Sequence, residues 1–401
     1  MFLKRMISAW LAFHLCAAWL PAQSTDSRGI YVTVGDISNL GASPTTRLNS
    51  ALNVAGVDGL LAGVSWASLE PAMGQYQWAT LDKWLNQVAA NRQQVELAIT
   101  GGSSSPSWLF QPAPAGAGAT PLTFAIAPHE GQLGTCNSIT IAAPWDTAYL
   151  DRWDALLAAV SAHLKSTAAG SVVSMLRLTG INRSTDELRL PAETPQSTGL
   201  ACISDSIAIW QKAGYKPALL LQAWDRITGM FQSYFPDKTF TVALIPQSPF
   251  PAIGEDGAAI PGTVPDQNQP LVALAAEKFP GGRLVVQHDF LMPGEPPTPQ
   301  IIQYAQTLGT LIAFQTNDYL SPNGGAACSE PVANPTPCTA STYMTLLLTG
   351  IYPEGQGNPL RAHHIEVFPQ NAIDFPADIQ QAHLLLRPGT AKSSPRRGRR
   401  P

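Results

Sequence analysis

Two acidic residues stand where this sequence could do chemistry. Glu187 lies in the polar run LRLTGINRSTDELRLP, among Asn182, Arg183, Thr185 and Asp186, whose polar groups can set its charge state and direction. Glu366 lies in HHIEVFPQN, an ionisable group between Ile365 and Val367 in a strand-like run. Strand alternation puts His364, Glu366 and Phe368 on one face. A carboxylate buried there is unfavourable unless something pairs with it or uses it. Two carboxyl groups, one holding a proton and one ionised, are the equipment for cleaving a glycosidic bond. The structural alternatives are ordinary ion pairs: Glu187 with Arg183 or Arg189, Glu366 with Arg361 or a histidine. Asp186 is the fallback for Glu187.

Around such a pair a sugar needs flat apolar surfaces, because its ring presents C–H faces that pack on aromatic side chains. Trp66, Trp108, Trp145 and Tyr319 are expected as a group to supply them, although each one could equally be packing. Glu70 in WASLEP, Asn182, and His288 in QHDF are candidate ligands for sugar hydroxyls, with Asp36 and Asp289 as further acids near strand ends. Glu70 could instead bond backbone groups of its own loop, and a lone histidine near a strand end is often satisfied structurally. The sequence carries no nucleophile elbow, phosphate loop or metal-ligand spacing, so no metal or other cofactor is expected.

The elements that must position these residues alternate along the chain. Strand-like runs cover 29–33, 59–64, 95–100, 172–179, 239–245, 284–288, 311–315 and 363–367. Amphipathic segments lie between them, at 81–90, 149–164, 203–212, 219–231, 271–278, 301–306 and 342–348, and another follows the last strand at 379–386. In 149–164, Leu150, Trp153, Leu156, Leu157, Val160 and Leu164 recur at helical spacing. Short apolar strands alternating with helices imply a parallel α/β sheet. Eight such units, give or take one, imply a (β/α)8 TIM barrel. A doubly wound sheet is disfavoured because no Gly-rich loop follows the first strand. Segments leaving the strands are long (101–145, 180–202, 246–269, 316–338) and most returning segments are short. The long loops should therefore crowd the C-terminal face, where barrel chemistry resides.

Composition sets the context. The 401 residues are 45% hydrophobic and 13% charged with net charge −4, which supports a folded core and argues against nucleic-acid binding. Residues 1–22 read as a secretory signal: Lys4 and Arg5, an apolar run, then Leu20-Pro21-Ala22. The expectation is a secreted or periplasmic protein with no membrane segment after cleavage, one barrel domain over 23–388, and a basic disordered tail at 389–401. Cys136, Cys202, Cys328 and Cys338 then remain, an even set suited to an oxidising compartment. Of the three possible pairings, Cys328–Cys338 with Cys136–Cys202 is favoured, because it closes a short Pro-rich loop and ties two long ones together.

The segment GVSWASLEPAMGQYQWATLDKWL, followed by SPSWLF, resembles the second and third βα units of clan A TIM-barrel glycoside hydrolases, including the β-galactosidase-like families. The run IWQKAGYKPALLLQAWDRITGMFQSYFPDKT with FTVALIP is similar to a later helix and strand of such enzymes. The resemblance spans most of 29–386. It implies a carbohydrate substrate and a retaining mechanism, with glutamates after the fourth and seventh strands. The chain departs from the pattern twice. Asn182-Arg183 stands where Asn-Glu is expected, with Glu187 five residues beyond Asn182, and Gln315 stands in TLIAFQTND where the nucleophilic glutamate would be. Gln315 can bind a hydroxyl but cannot ionise, so Glu366 is its expected substitute. The alternatives to a hydrolase are a carbohydrate-binding barrel that has lost catalysis, and a secreted scaffold whose Pro-rich loops bind another protein.

Overall fold

The computed structural model describes residues 26–127, 136–245, 250–261, 267–291, 300–316, 338–353 and 361–388. The eight expected strands are all present and all lie in one closed sheet. In chain order the strands are β1 (Gly29–Asp36), β2 (Val57–Ser65), β3 (Gln94–Thr100), β4 (Pro121–Ile126), β5 (Asn137–Ala142), β6 (Val173–Arg177), β7 (Thr239–Leu244), β8 (Leu284–Leu291), β9 (Leu311–Thr316) and β10 (His364–Val367). The barrel runs β1-β10-β9-β8-β7-β6-β3-β2 and every neighbouring pair is parallel. With helices on its outside this is a (β/α)8 TIM barrel.

The barrel sorts residues by parity. Leu60, Ala62 and Val64 of β2, Val95, Leu97 and Ile99 of β3, and Phe240, Val242 and Leu244 of β7 face the helices and share one apolar core with Trp84, Trp153, Trp224 and Phe231. Alternate residues face inward, and there the lining is polar: Glu96, Arg177, Thr241, Gln287, His364 and Glu366 are all fully buried. Near the N-terminal end of the barrel the Tyr31 ring meets His364 edge-on at 5.5 Å. Gly59 makes room for that ring, since a Cβ there would sit 2.5 Å from it.

The crossover helices follow the periodicity. The helix Thr147–Ser166 buries the six apolar residues singled out above, and Asp146 caps it by accepting from the Tyr149 amide. Among the described helices longer than two turns, one escaped the sequence reading. Ala42–Leu52 (ASPTTRLNSAL) buries only Leu48, Ala51 and Leu52, and so small an apolar stripe is easily read as loop. The long segment after β3 also holds structure of its own, the antiparallel hairpin β4–β5. The expected disulfide Cys136–Cys202 joins the start of β5 to the segment that follows β6. The pairing Cys328–Cys338 involves Cys328, outside the described residues, as do the 1–22 signal and the 389–401 tail.

Candidate active site at the mouth of the barrel

Arg177, the last residue of β6, is the centre of the polar lining. Its side chain reaches three carboxylates: Glu96 of β3 at 3.1 Å, Asp186 in the loop beyond β6, and Glu366 of β10. Glu366 is held from two further sides, at Oε2, by the amides of Gln287 (2.9 Å) and Gln315 (2.8 Å). Gln287 also donates to Asp289, two residues along the same strand, at 2.7 Å. Asp289 is almost wholly buried, and its Oδ2 has no hydrogen-bond partner among the described residues.

One guanidinium therefore faces Glu366, Asp186, Glu96 and Asp289 together. Protons make up part of this deficit of positive charge. Burial raises Glu366 to about 8, with Glu96 and Asp186 adding to the rise and Arg177 and Gln315 opposing it. Burial likewise pushes Asp289 well above the usual carboxylate range, against Arg177 and with help from Glu187, Glu366 and Asp186. A carboxyl group that keeps its proton near neutral pH can act as an acid there. His364 Nε2 lies 3.5 Å from Glu96 Oε2 and 3.8 Å from Glu366 Oε1, a spacing a small cation could bridge. Arg177 already occupies the cationic position among these groups.

Glu187 sits higher, half-buried in the loop after β6, where it accepts from the Thr185 hydroxyl. Neither arginine expected as its alternative partner forms an ion pair with it among the described residues. Arg183 pairs instead with Glu193. The loop is anchored by Leu188 N–H donating to Ala243 (2.9 Å) and by Asn182, which accepts from the Gly180 amide and donates to the Thr185 carbonyl. Gly102 lets the neighbouring loop approach: its φ is +53°, and a Cβ would come within 2.2 Å of the Asn182 carbonyl.

Several expected site residues turn out to be structural. Trp66 and Trp108 are buried, packed edge-to-face on each other, with Tyr149 and Trp153 closing the other sides of Trp66. They leave no face for a sugar. Glu70 is fully buried and accepts from the Trp66 indole (2.8 Å), the Gly74 amide (2.7 Å) and Arg152, so it holds its own loop. Asn182 spends its amide on the loop just described. His288 lies on the other face of β8 from Gln287 and Asp289, edge-on to Phe314, because alternation carries it out of the barrel. Trp145 packs on Trp210 and Tyr215, and Asp36 caps a short turn by accepting from Ser38. Gln315 does reach the site, but its amide is directed to Glu366. Tyr319 lies outside the described residues.

Arg177, Glu96 and Gln287 were missed. Their signal was the one that exposed Glu366, a charged or amide residue inside an apolar strand (VVSMLRL, VELAIT, LVVQHDF), and the same test applied to every strand finds them. Of its expected partners, Arg361 donates instead to the Leu385 carbonyl, whereas a histidine is present, His364 at 3.8 Å; the closest ion pair is with Arg177.

Residues 50–119 match the family model Glyco_hydro_42, described as beta-galactosidase. Among solved structures, the chain is similar to the catalytic domain of the β-amylase from Paenibacillus polymyxa, with TM-score 0.54 and 13% identity, covering 90% of this chain and 97% of that one. It is also similar to xylanase B from Clostridium stercorarium F9, with TM-score 0.48, 14% identity and 85% of each chain covered. No curated protein matches the sequence. The resemblance to TIM-barrel glycoside hydrolases is thus borne out in the fold and over the segment 50–119.

Proposed function

We propose that the protein is a secreted glycoside hydrolase that cleaves O-glycosidic bonds of an oligo- or polysaccharide at the C-terminal mouth of its barrel. The observation that carries this reading is the convergence of Glu366, Asp186, Glu96 and Asp289 around one arginine, with Glu187 acting on Asp289 from the loop above and Glu366 retaining its proton up to about pH 8. In this reading Glu187 is the carboxyl group nearest the substrate and Glu366 the second of the pair. Asp289, with its uncommitted Oδ2, stands beside them. Glycoside cleavage asks for such a division, one carboxyl as proton donor and another to attack or to activate water. The beta-galactosidase family match and the β-amylase named among the similar structures support a carbohydrate as substrate. The Cys136–Cys202 disulfide supports export.

A second reading, a carbohydrate-binding barrel without turnover, is favoured by one feature. Gln315 at the end of β9 directs its amide onto Glu366, which has no exposed surface. The deciding experiment is product release from aryl glycosides and from plant and bacterial polysaccharides, with wild type and Glu187→Gln in parallel. Release by wild type that falls by about 10²–10⁴-fold in the variant is expected for loss of an acid or base. No release from any substrate, with sugar-dependent thermal shifts in both proteins, would establish the second reading instead.

A further inference from the structure

Below Glu366 the barrel holds a string of polar groups that neither reading uses. The Ser27 hydroxyl is 3.3 Å from His363 Nε2, and His363 Nδ1 is 3.0 Å from His364 Nδ1. His364 Nε2 is 2.9 Å from Gln287 Oε1, and Gln287 Nε2 reaches both Asp289 and Glu366. Ser27, both histidines, Gln287, Asp289 and Glu366 are all buried. We infer that Gln287 is the positioning residue that holds Asp289 and Glu366 together, and that Ser27, His363 and His364 form a one-way hydrogen-bond chain that keeps its amide facing them.

The direction follows from donor and acceptor capacity. Glu366 Oε2 also receives the Gln315 amide, and Oε1 receives Arg177, so the ionised form of Glu366 is an acceptor on every side. Once the two carboxyl groups are ionised, Gln287 must present its NH2 to them, one hydrogen to each, since the flipped amide would press its oxygen against theirs. Its carbonyl oxygen then faces His364, whose Nε2 must carry hydrogen. Burial holds both histidines neutral, pushing each down to about 3, so each ring has one donor and one acceptor. His364 Nδ1 is then bare, His363 Nδ1 must carry the hydrogen between the rings, and His363 Nε2 accepts from Ser27. Ser27 is itself held by the Tyr31 hydroxyl, which donates to its carbonyl at 2.9 Å. Every donor in the chain points from the N-terminal floor toward the mouth.

The charged and titratable groups around the two carboxyls come from several elements: Glu96 on β3, Arg177 on β6, Asp186 and Glu187 in the loop after β6, and the neutral His364 on β10. Gln287 is the neutral member that touches both. Any effect on turnover rests on the hydrolase reading above, whereas the histidine tautomers do not. Long-range proton–nitrogen NMR on protein labelled with 15N at histidine reads them directly. The expected result, above about pH 8 where Glu366 has ionised, is His364 with hydrogen on Nε2 and His363 with hydrogen on Nδ1. The reverse tautomer at either ring, or a charged ring at neutral pH, would overturn the chain. Gln287→Met then keeps the bulk and removes both donated hydrogens. Carboxyl-carbon NMR titration of Glu366 and Asp289 should move to higher pH by about half a unit or more, because each ionised form has lost a donor. Unchanged titrations in a folded variant would reduce Gln287 to packing. If wild type proves to be a hydrolase, the same variant should lower kcat with KM nearly unchanged.

Discussion

Two arginines lie against buried carboxylates in this barrel, and the two clusters behave differently. Beside the Trp66–Trp108 pair, Arg152 meets Glu70 alone, and the Trp66 indole and the Gly74 amide take up the rest of that carboxylate. Charge is balanced, both carboxylate oxygens have donors, aromatic rings pack beside the group, and its task is to hold a loop. Inside the barrel, Arg177 faces four carboxyl groups, and two of these are pushed toward keeping their protons. The ingredients are the same and the ratio differs. A balanced buried pair is architecture. A buried arginine outnumbered by carboxyls leaves protons held near neutral pH, and those can be put to use.

The sharpest way to break this contrast is Arg177→Met. It should destabilise by about 3–5 kcal/mol, as removal of one partner from a buried ionic group does, and by more at pH 8 than at pH 5, where more of the carboxyls are protonated. Denaturant unfolding at the two pH values measures it, and an equal loss at both would remove the outnumbered-arginine argument. Glu366→Gln comes next. Folded Glu366 holds its proton to about pH 8 while the unfolded chain releases it near the ordinary glutamate value. Between those values the folded state binds more protons, so wild-type stability falls as pH rises from 5 to 8. The variant should lack that decline, a difference of about 3 kcal/mol over the interval. Parallel pH–stability curves would show that Glu366 is not proton-bound in the native state.

On the balanced side, Arg152→Met should cost about 1–3 kcal/mol in denaturant unfolding, because Glu70 keeps two donors. A loss as large as that of Arg177→Met would mean that the contrast is one of degree. Smallest is Trp108→Phe, which removes the indole bond to the Glu70 carbonyl (2.9 Å) for about 1 kcal/mol. Sugar binding measured by calorimetry should be unchanged, and a lost or weakened affinity would return Trp108 to the substrate site.

The same contrast explains what could be read from the sequence. The barrel was legible because its strands are short apolar runs separated by helices with clear 3.6-residue periodicity, as in 149–164. The helix at Ala42–Leu52 and the β4–β5 hairpin were not, one for its thin apolar stripe and the other for its place in a long irregular segment. At the site, Glu366 was legible as a charge inside a strand. Trp66, Glu70 and Trp108 misled because acids and aromatics close to strand ends look alike whether they face the mouth or wedge beneath it. His288 misled for a simpler reason, since moving one residue along a strand reverses its face. Arg177 went unread although its position in an apolar strand was the same clue as that of Glu366.

The Cys136–Cys202 bond joins positions 66 residues apart, and between them lie β6, Arg177, Asp186 and Glu187. In covalent terms the outnumbered arginine and the two acids of the mouth sit on a closed ring of chain. The ends of this segment cannot drift apart even when neighbouring strands let go, so it has less conformational freedom to lose each time the barrel reforms. In a reducing environment the ring opens, and the part of the molecule with the most unbalanced charge is held only by its packing, hydrogen bonds and ion pairs.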